Sequence, residues 1–71
     1  MKKNPIADLV KDRRKSAGLT QPQLAAKAGV GLRFIRDLEQ GKPSLRTDTI
    51  NKVLVLFGKC LGPIDLPRDE A

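Results

Sequence analysis

No histidine occurs anywhere in the sequence, and Cys60 is its only cysteine. Disulfides within the chain are excluded, and one thiol without imidazole cannot build a zinc site. Catalysis is as poorly supplied. There is no histidine to move a proton, no acid pair placed to share a pocket, and no glycine-rich phosphate loop ahead of a Lys-Ser/Thr pair. Gly41-Lys42 lacks the upstream glycine frame of such a loop. Long apolar runs are missing too: Val53 to Phe57, the longest aliphatic and aromatic run, is far too short to span a bilayer. Met1-Lys2-Lys3 is basic, but Asn4-Pro5 follows it rather than an apolar signal core. These absences predict a non-enzymatic, soluble, cytoplasmic protein with no metal, no cofactor and no small-molecule ligand.

What is present fits one small domain. A chain of 71 residues buries a modest fraction of its surface and is marginal alone. With disulfides and metal excluded, association with a second subunit is the expected support. The formal charge is +6 and the pI about 10.0, which points to an anionic partner. The charge is unevenly placed. Residues 1–46 carry 11 Lys/Arg against 4 Asp/Glu, a net +7, whereas residues 47–71 carry 3 against 4, a net −1.

Four short helices and one extended piece are predicted. The first covers Pro5 to Ala17: Asn4 can cap it, Pro5 suits its first turn, Ile6, Leu9, Val10, Arg13 and Ala17 keep helical spacing, and Gly18 stops it. Thr20-Gln21-Pro22-Gln23 is a capping box opening a second helix, which carries Leu24, Ala25 and Ala28 and ends at Gly29. The third runs from Leu32 to Gln40, between Gly31 and Gly41. At about 100° per residue Phe34, Ile35 and Leu38 share one side of it, while Arg33, Arg36 and Gln40 lie opposite with Leu32 at their edge. This helix has a buried back and a cationic front.

The fourth helix covers Asp48 to Phe57, with Thr47 as its cap and Gly58 as its stop. Ile50, Val53, Leu54 and Phe57 form its stripe; Val55 and Leu56 fall off that stripe and predict a surface that meets another subunit. Beyond Gly58, Cys60, Gly62, Ile64 and Leu66 alternate with Lys59, Leu61, Pro63 and Asp65. Alternation suggests a strand, and Pro63 restricts it to an edge or to a two-stranded ribbon completed by a second chain. The alternative is an unstructured tail. Cys60 is expected to be a small half-buried hydrophobe, and Val55, Leu56, Cys60 and Ile64 are the candidate dimer interface. The predicted organisation is a flexible basic arm at 1–4, a domain at 5–58 and an extended segment at 59–71, with Arg68 to Ala71 expected to be disordered.

Two short helices joined by a tight glycine turn form a helix-turn-helix. Gly29 lets the chain turn with positive φ, Ala25 is small where two helices approach, and Val30 and Ile35 plug the space between them. The stretch GLTQPQLAAKAGVGLRFIRDLEQGKPS resembles the helix-turn-helix of the phage-repressor family (lambda repressor/Cro, or XRE) in its Thr-Gln, Leu-Ala, Gly-Val, third-helix Ile, Leu-Glu and Gly. The resemblance covers roughly residues 6 to 57. The continuation GKPSLRTDTINKVLVLFG is similar to the HipB-type antitoxins, with a closer match up to Phe57 than beyond it.

The resemblance implies an all-α, lambda-repressor-like bundle of four short helices with a C-terminal strand paired across a dimer. It implies a homodimeric transcriptional repressor of double-stranded DNA that reads a pseudo-palindromic operator, represses its own operon and binds a HipA-type toxin kinase. By position Leu32, Arg33 and Arg36 match the family's base-contacting sites. An arginine can bind guanine O6 and N7 with two hydrogen bonds, and Leu32 can offer apolar contact to a thymine methyl; the alternative is that both arginines meet only phosphate or water. Gln21, Gly31, Gln40, Lys42 and Arg46 are the candidate phosphate contacts, Gln21 being helped by the amides and dipole of its helix start. Gly31 stands where a serine is often found, so a side-chain contact is lost there. Arg14 is expected to pair with Glu39 within the run Arg13-Arg14-Lys15, and Lys2 and Lys3 to form a short arm touching the DNA backbone. Two other readings stay open: a stand-alone phage-type or restriction-modification controller, and a protein-binding adaptor.

Overall fold

The computed structural model describes residues 4–65. Lys2, Lys3, Leu66 and the expected disorder of Arg68 to Ala71 lie outside the described residues. Four α-helices appear in chain order: α1 at Pro5–Ser16, α2 at Gln21–Ala28, α3 at Leu32–Glu39 and α4 at Thr47–Leu54, followed by a 3₁₀ turn at Val55–Phe57. No strand occurs among the described residues. This is the all-α helix-turn-helix bundle expected from the sequence.

The helix starts follow from their local chemistry. The Asn4 side chain accepts from the Ala7 N–H at 3.1 Å, and Pro5 fills the position where a missing N–H costs nothing. Thr20 accepts from the Gln23 N–H at 3.3 Å while Gln23 Oε1 accepts from the Thr20 N–H at 2.8 Å, so the capping box is formed in both directions. Thr20→Ala removes one half of it and is expected to lower stability by about 1 kcal/mol in urea denaturation; an unchanged midpoint would show that the box is redundant.

All four helical segments end the same way. Gly18, Gly29, Gly41 and Gly58 have φ between 70° and 78°, and paired bonds return carbonyls that would otherwise be orphaned, as in Leu19 N–H to Arg14 C=O and Val30 N–H to Ala25 C=O, both 3.0 Å. Ala17 and Gln40 are the caps of α1 and α3 rather than members of their last turns.

The core is a single cluster of Val10, Leu24, Ala25, Ile35, Leu38, Ile50, Val53 and Leu54. Val30, Phe34 and Phe57 pack around it. α3 lies against both α1 and α2, and α4 closes the bundle through α2. The three apolar residues of α3 are thereby spent inward, as its spacing predicts.

The C-terminal third departs from expectation. Arg46, not Thr47, occupies the cap of α4 and makes no side-chain cap bond, while Asp48 Oδ1 accepts from the Thr49 N–H in the first turn at 2.9 Å. The helix does not continue to Phe57: after Leu54, the last buried residue among those described, the chain tightens into the 3₁₀ turn, where Val55 and Leu56 are exposed. Residues 59–65 form no strand, because a lone segment has no neighbour to bond its backbone. Leu61 turns inward to the core instead, its N–H donating to Asn51 Oδ1 at 2.7 Å. Cys60 is exposed rather than half-buried. No helix of the described residues is long and apolar enough to cross a membrane.

Candidate nucleic-acid interface

α3 presents its two faces to different surroundings. Ile35 and Leu38 are buried on the inner side, whereas Arg33, Arg36 and Gln40 are exposed on the outer one and Leu32 is half-buried at the helix start. Arg33 and Arg36 are three residues apart and therefore stack on one face. Neither makes a side-chain hydrogen bond or ion pair with another described residue. Gly31 caps α3 with extended backbone and no side-chain bond, so the first amides of α3 stay open to an outside acceptor. A side chain at Gly31 would meet open space.

The outer face is held in place by one buried acid. Glu39, the last residue of α3, is 5% exposed. Arg14 of α1 grips it with two hydrogen bonds, Nε to Oε2 at 2.7 Å and Nη2 to Oε1 at 3.0 Å, and donates Nη1 to the Leu19 carbonyl at 2.9 Å. The pair that the family resemblance implied is therefore present. Gln21, first residue of α2, donates Nε2 to Glu39 Oε1 at 3.2 Å. One carboxylate thus fastens the start of α2 and the end of α1 to the end of α3. Burial pushes the Glu39 carboxyl upward, but the hydrogen bonds from Arg14 and Gln21 and the charges of Arg14 and Lys11 outweigh it, and the group is held below the ordinary carboxylate range. Gln21 keeps one amide hydrogen and its carbonyl oxygen for an external partner.

The remaining phosphate candidates are placed differently. Lys42 follows the turn after α3, with Nζ 3.6 Å from Asp37 Oδ2. Arg46 is engaged with Asp48, Nη2 to Oδ2 at 3.0 Å, on an exposed surface where such a pair is weakly held. Sequence reasoning passed over Asp37 and Asp48 as partners of these cations. Asp37 and Lys42 flank the closing glycine of α3, where the chain folds back on the last turn, and that spacing was a readable signal. The Gln21–Glu39 bond carried no local signal, since 18 positions separate its members.

A family model described as helix-turn-helix matches residues 10–60. The chain belongs to the XRE-type helix-turn-helix family. An uncharacterized HTH-type transcriptional regulator of Sinorhizobium fredii is 49% identical to it over 53 residues, which span 75% of this chain and 70% of that protein. The protein is a transcriptional regulator with a helix-turn-helix DNA-binding domain. In this helix-turn-helix regulator α2 and α3 are the two helices of the motif, and α3 stands in the second, recognition position.

Proposed function

We propose that the protein is a sequence-specific repressor of double-stranded DNA that inserts α3 into the major groove, with Leu32, Arg33 and Arg36 at base edges. The supporting observation is the division of α3: its apolar side is consumed by the core, and its two exposed arginines have no hydrogen-bond or ion-pair partner among the described residues. Gln21, Gly31, Gln40, Lys42 and Arg46 take the flanking phosphates, which fix register without carrying sequence information. Two copies pair through Val55, Leu56, Cys60 and Ile64 and set two α3 helices about one helical turn apart on a pseudo-palindrome. The pairing is supported by the apolar surface left open there, with Val55 66% and Ile64 88% exposed in a single chain. The strand predicted at 59–66 then forms only when the second chain arrives.

Within the bacterial cytoplasm the operator is that of the protein's own operon, and the second product of the operon is a HipA-type toxin kinase that this protein neutralises. The support for this role is the likeness of residues 41–58 to the HipB-type antitoxins. An adjacent reading frame encoding no kinase-like protein, or one whose product does not co-purify, leaves the stand-alone controller as the better account.

The decisive experiment is a titration into DNA from the upstream region of the gene and into a scrambled duplex, at low and near-physiological salt. The native site is expected to stay ahead by roughly a thousandfold or more. Arg33→Ala and Arg36→Ala should each reduce that discrimination by about 1–3 kcal/mol. Binding to every DNA unchanged in both variants would defeat the proposal.

A further inference from the structure

We propose that Asp37 and Asp48 are internal stand-ins for phosphate: each holds one cation of the connection between α3 and α4, and DNA must displace the carboxylate to gain that contact. This rests on the operator-binding reading above, in which Lys42 and Arg46 meet the DNA backbone. Its structural basis is an asymmetry among the cations. Arg33 and Arg36 make no side-chain hydrogen bond or ion pair with another described residue, whereas Lys42 and Arg46 each face one acid.

The acids between residues 32 and 48 are all engaged away from the two arginines of α3. Glu39 is held by Arg14, Asp37 by Lys42 and Asp48 by Arg46. Asp37 lies four residues beyond Arg33, a spacing at which opposite charges on one helix can pair. That pair does not form, and Asp37 Oδ2 stands 3.6 Å from Lys42 Nζ instead.

Arg46 shows most directly how a carboxylate takes the place of phosphate. Its Nε donates to Asp48 Oδ1 at 3.2 Å and its Nη2 to Oδ2 at 3.0 Å. A guanidinium grips phosphate with the same two-pronged fork, so the carboxylate oxygens occupy the places of two phosphate oxygens. Asp48 is itself anchored, because Oδ1 also accepts from the Thr49 N–H at 2.9 Å and from Thr49 Oγ1 at 3.4 Å. When Arg46 turns to DNA, the acid keeps those bonds and its access to water, its side chain being 62% exposed. Lys42 is held more loosely: at 3.6 Å its ammonium is beyond hydrogen-bond range, and its side chain is half-exposed. Exposed pairs of this kind are weak and are weakened further by salt. Both can open, yet both must open before phosphate is bound. The opposition therefore falls on the sequence-independent part of binding, and the unpaired arginines of α3 carry a larger share of the total.

The test uses the full chain, the upstream duplex and its scrambled counterpart, at about 50 and about 200 mM salt. Asp37→Asn and Asp48→Asn each remove one charge at nearly constant shape. Asp12→Asn, at an exposed acid of α1, makes the same change in net charge elsewhere. The first two variants are expected to bind both duplexes roughly twofold to fivefold more tightly per protomer at the lower salt. The gain shrinks at the higher salt, and the ratio between the duplexes stays that of wild type. Asp12→Asn is expected to bind like wild type. In Lys42→Ala the gain from Asp37→Asn disappears, and in Arg46→Ala so does the gain from Asp48→Asn. Unfolding midpoints are taken alongside, because Asp48 also lies in the first turn of α4. Wild-type affinity in both asparagine variants overturns the inference, as does an equal gain in Asp12→Asn. So does a gain that survives removal of the cation, which reports plain repulsion of DNA by the acid. Failure of the operator reading has a separate signature, discrimination between the duplexes that Arg33→Ala and Arg36→Ala do not change.

Discussion

Replacing Arg14 by alanine is expected to lower folding stability by about 3 kcal/mol, at the lower end of the range for breaking a buried ion pair because Arg14 keeps some contact with water. The loss does not come from the attraction alone. The Glu39 side chain is 2% exposed, and without the guanidinium it keeps a single hydrogen bond, from Gln21. A buried carboxylate so poorly matched must either hold its charge out of water or take up a proton. A domain of this size has a total stability of about 4–10 kcal/mol, so the variant sits close to the edge of folding. Arg14→Met/Glu39→Leu, which removes both charges and fills the volume, should recover most of the loss.

The pH dependence gives a second reading of the same contact. The folded Glu39 carboxyl is held below its unfolded value, so its contribution is fully present above the ordinary carboxylate pKa of about 4.3 and is lost as pH falls through the lower folded value. In Arg14→Ala burial dominates and the folded carboxyl moves above its unfolded value, so the slope reverses: the variant gains stability as pH falls through that raised value. Urea denaturation of both proteins from pH 7 down to pH 3 checks this. A loss under about 1 kcal/mol, or parallel pH profiles, would mean that Glu39 reaches water despite its burial.

Ile35→Ala is expected to cost about 3 kcal/mol, within the span measured for deleting a buried branched side chain. Ile35 is fully buried and belongs to the inner side of α3. An eight-residue helix has little stability of its own, so α3 exists because Ile35 and Leu38 are packed. Ile35→Val should cost only about 1 kcal/mol. DNA binding by the alanine variant is expected to weaken with the fold and to return at high operator concentration, because a ligand selective for the native state stabilises it by mass action. Thermal unfolding with and without operator separates the cases: a variant that unfolds like wild type yet fails to bind would place Ile35 in recognition rather than in packing.

Much of this architecture is legible in local chemistry. Asn4, the Thr20–Gln23 box and the closing glycines mark helix ends through interactions spanning three to five residues, and the sequence displays them directly. The inner and outer sides of α3 follow from its period. The far C-terminal part is not readable by the same means. Val55 and Leu56 continue a helical composition, but whether a last turn stays α or tightens depends on what it packs against. The alternation of residues 59–65 is real in the sequence, yet a strand needs a neighbour, and in the single chain Leu61 is drawn to the core by Asn51 instead. At the interface the outward arginines were evident, and the Arg14–Glu39 pair came through family likeness. The Gln21–Glu39 bond joins elements distant in sequence and could be found only once the helices were placed.

The division of α3 carries one more consequence. Its inner residues belong to the core, and the exposed side chains of Arg33 and Arg36 make no hydrogen bond or ion pair with another described residue. Changes on the outer side are therefore nearly neutral for folding while, on the proposed reading, altering the sequence that is read. If α3 reads DNA as proposed, mutation can explore new target sequences at those positions without first having to rescue the scaffold, so one stable framework is able to diversify into regulators with different addresses on the chromosome.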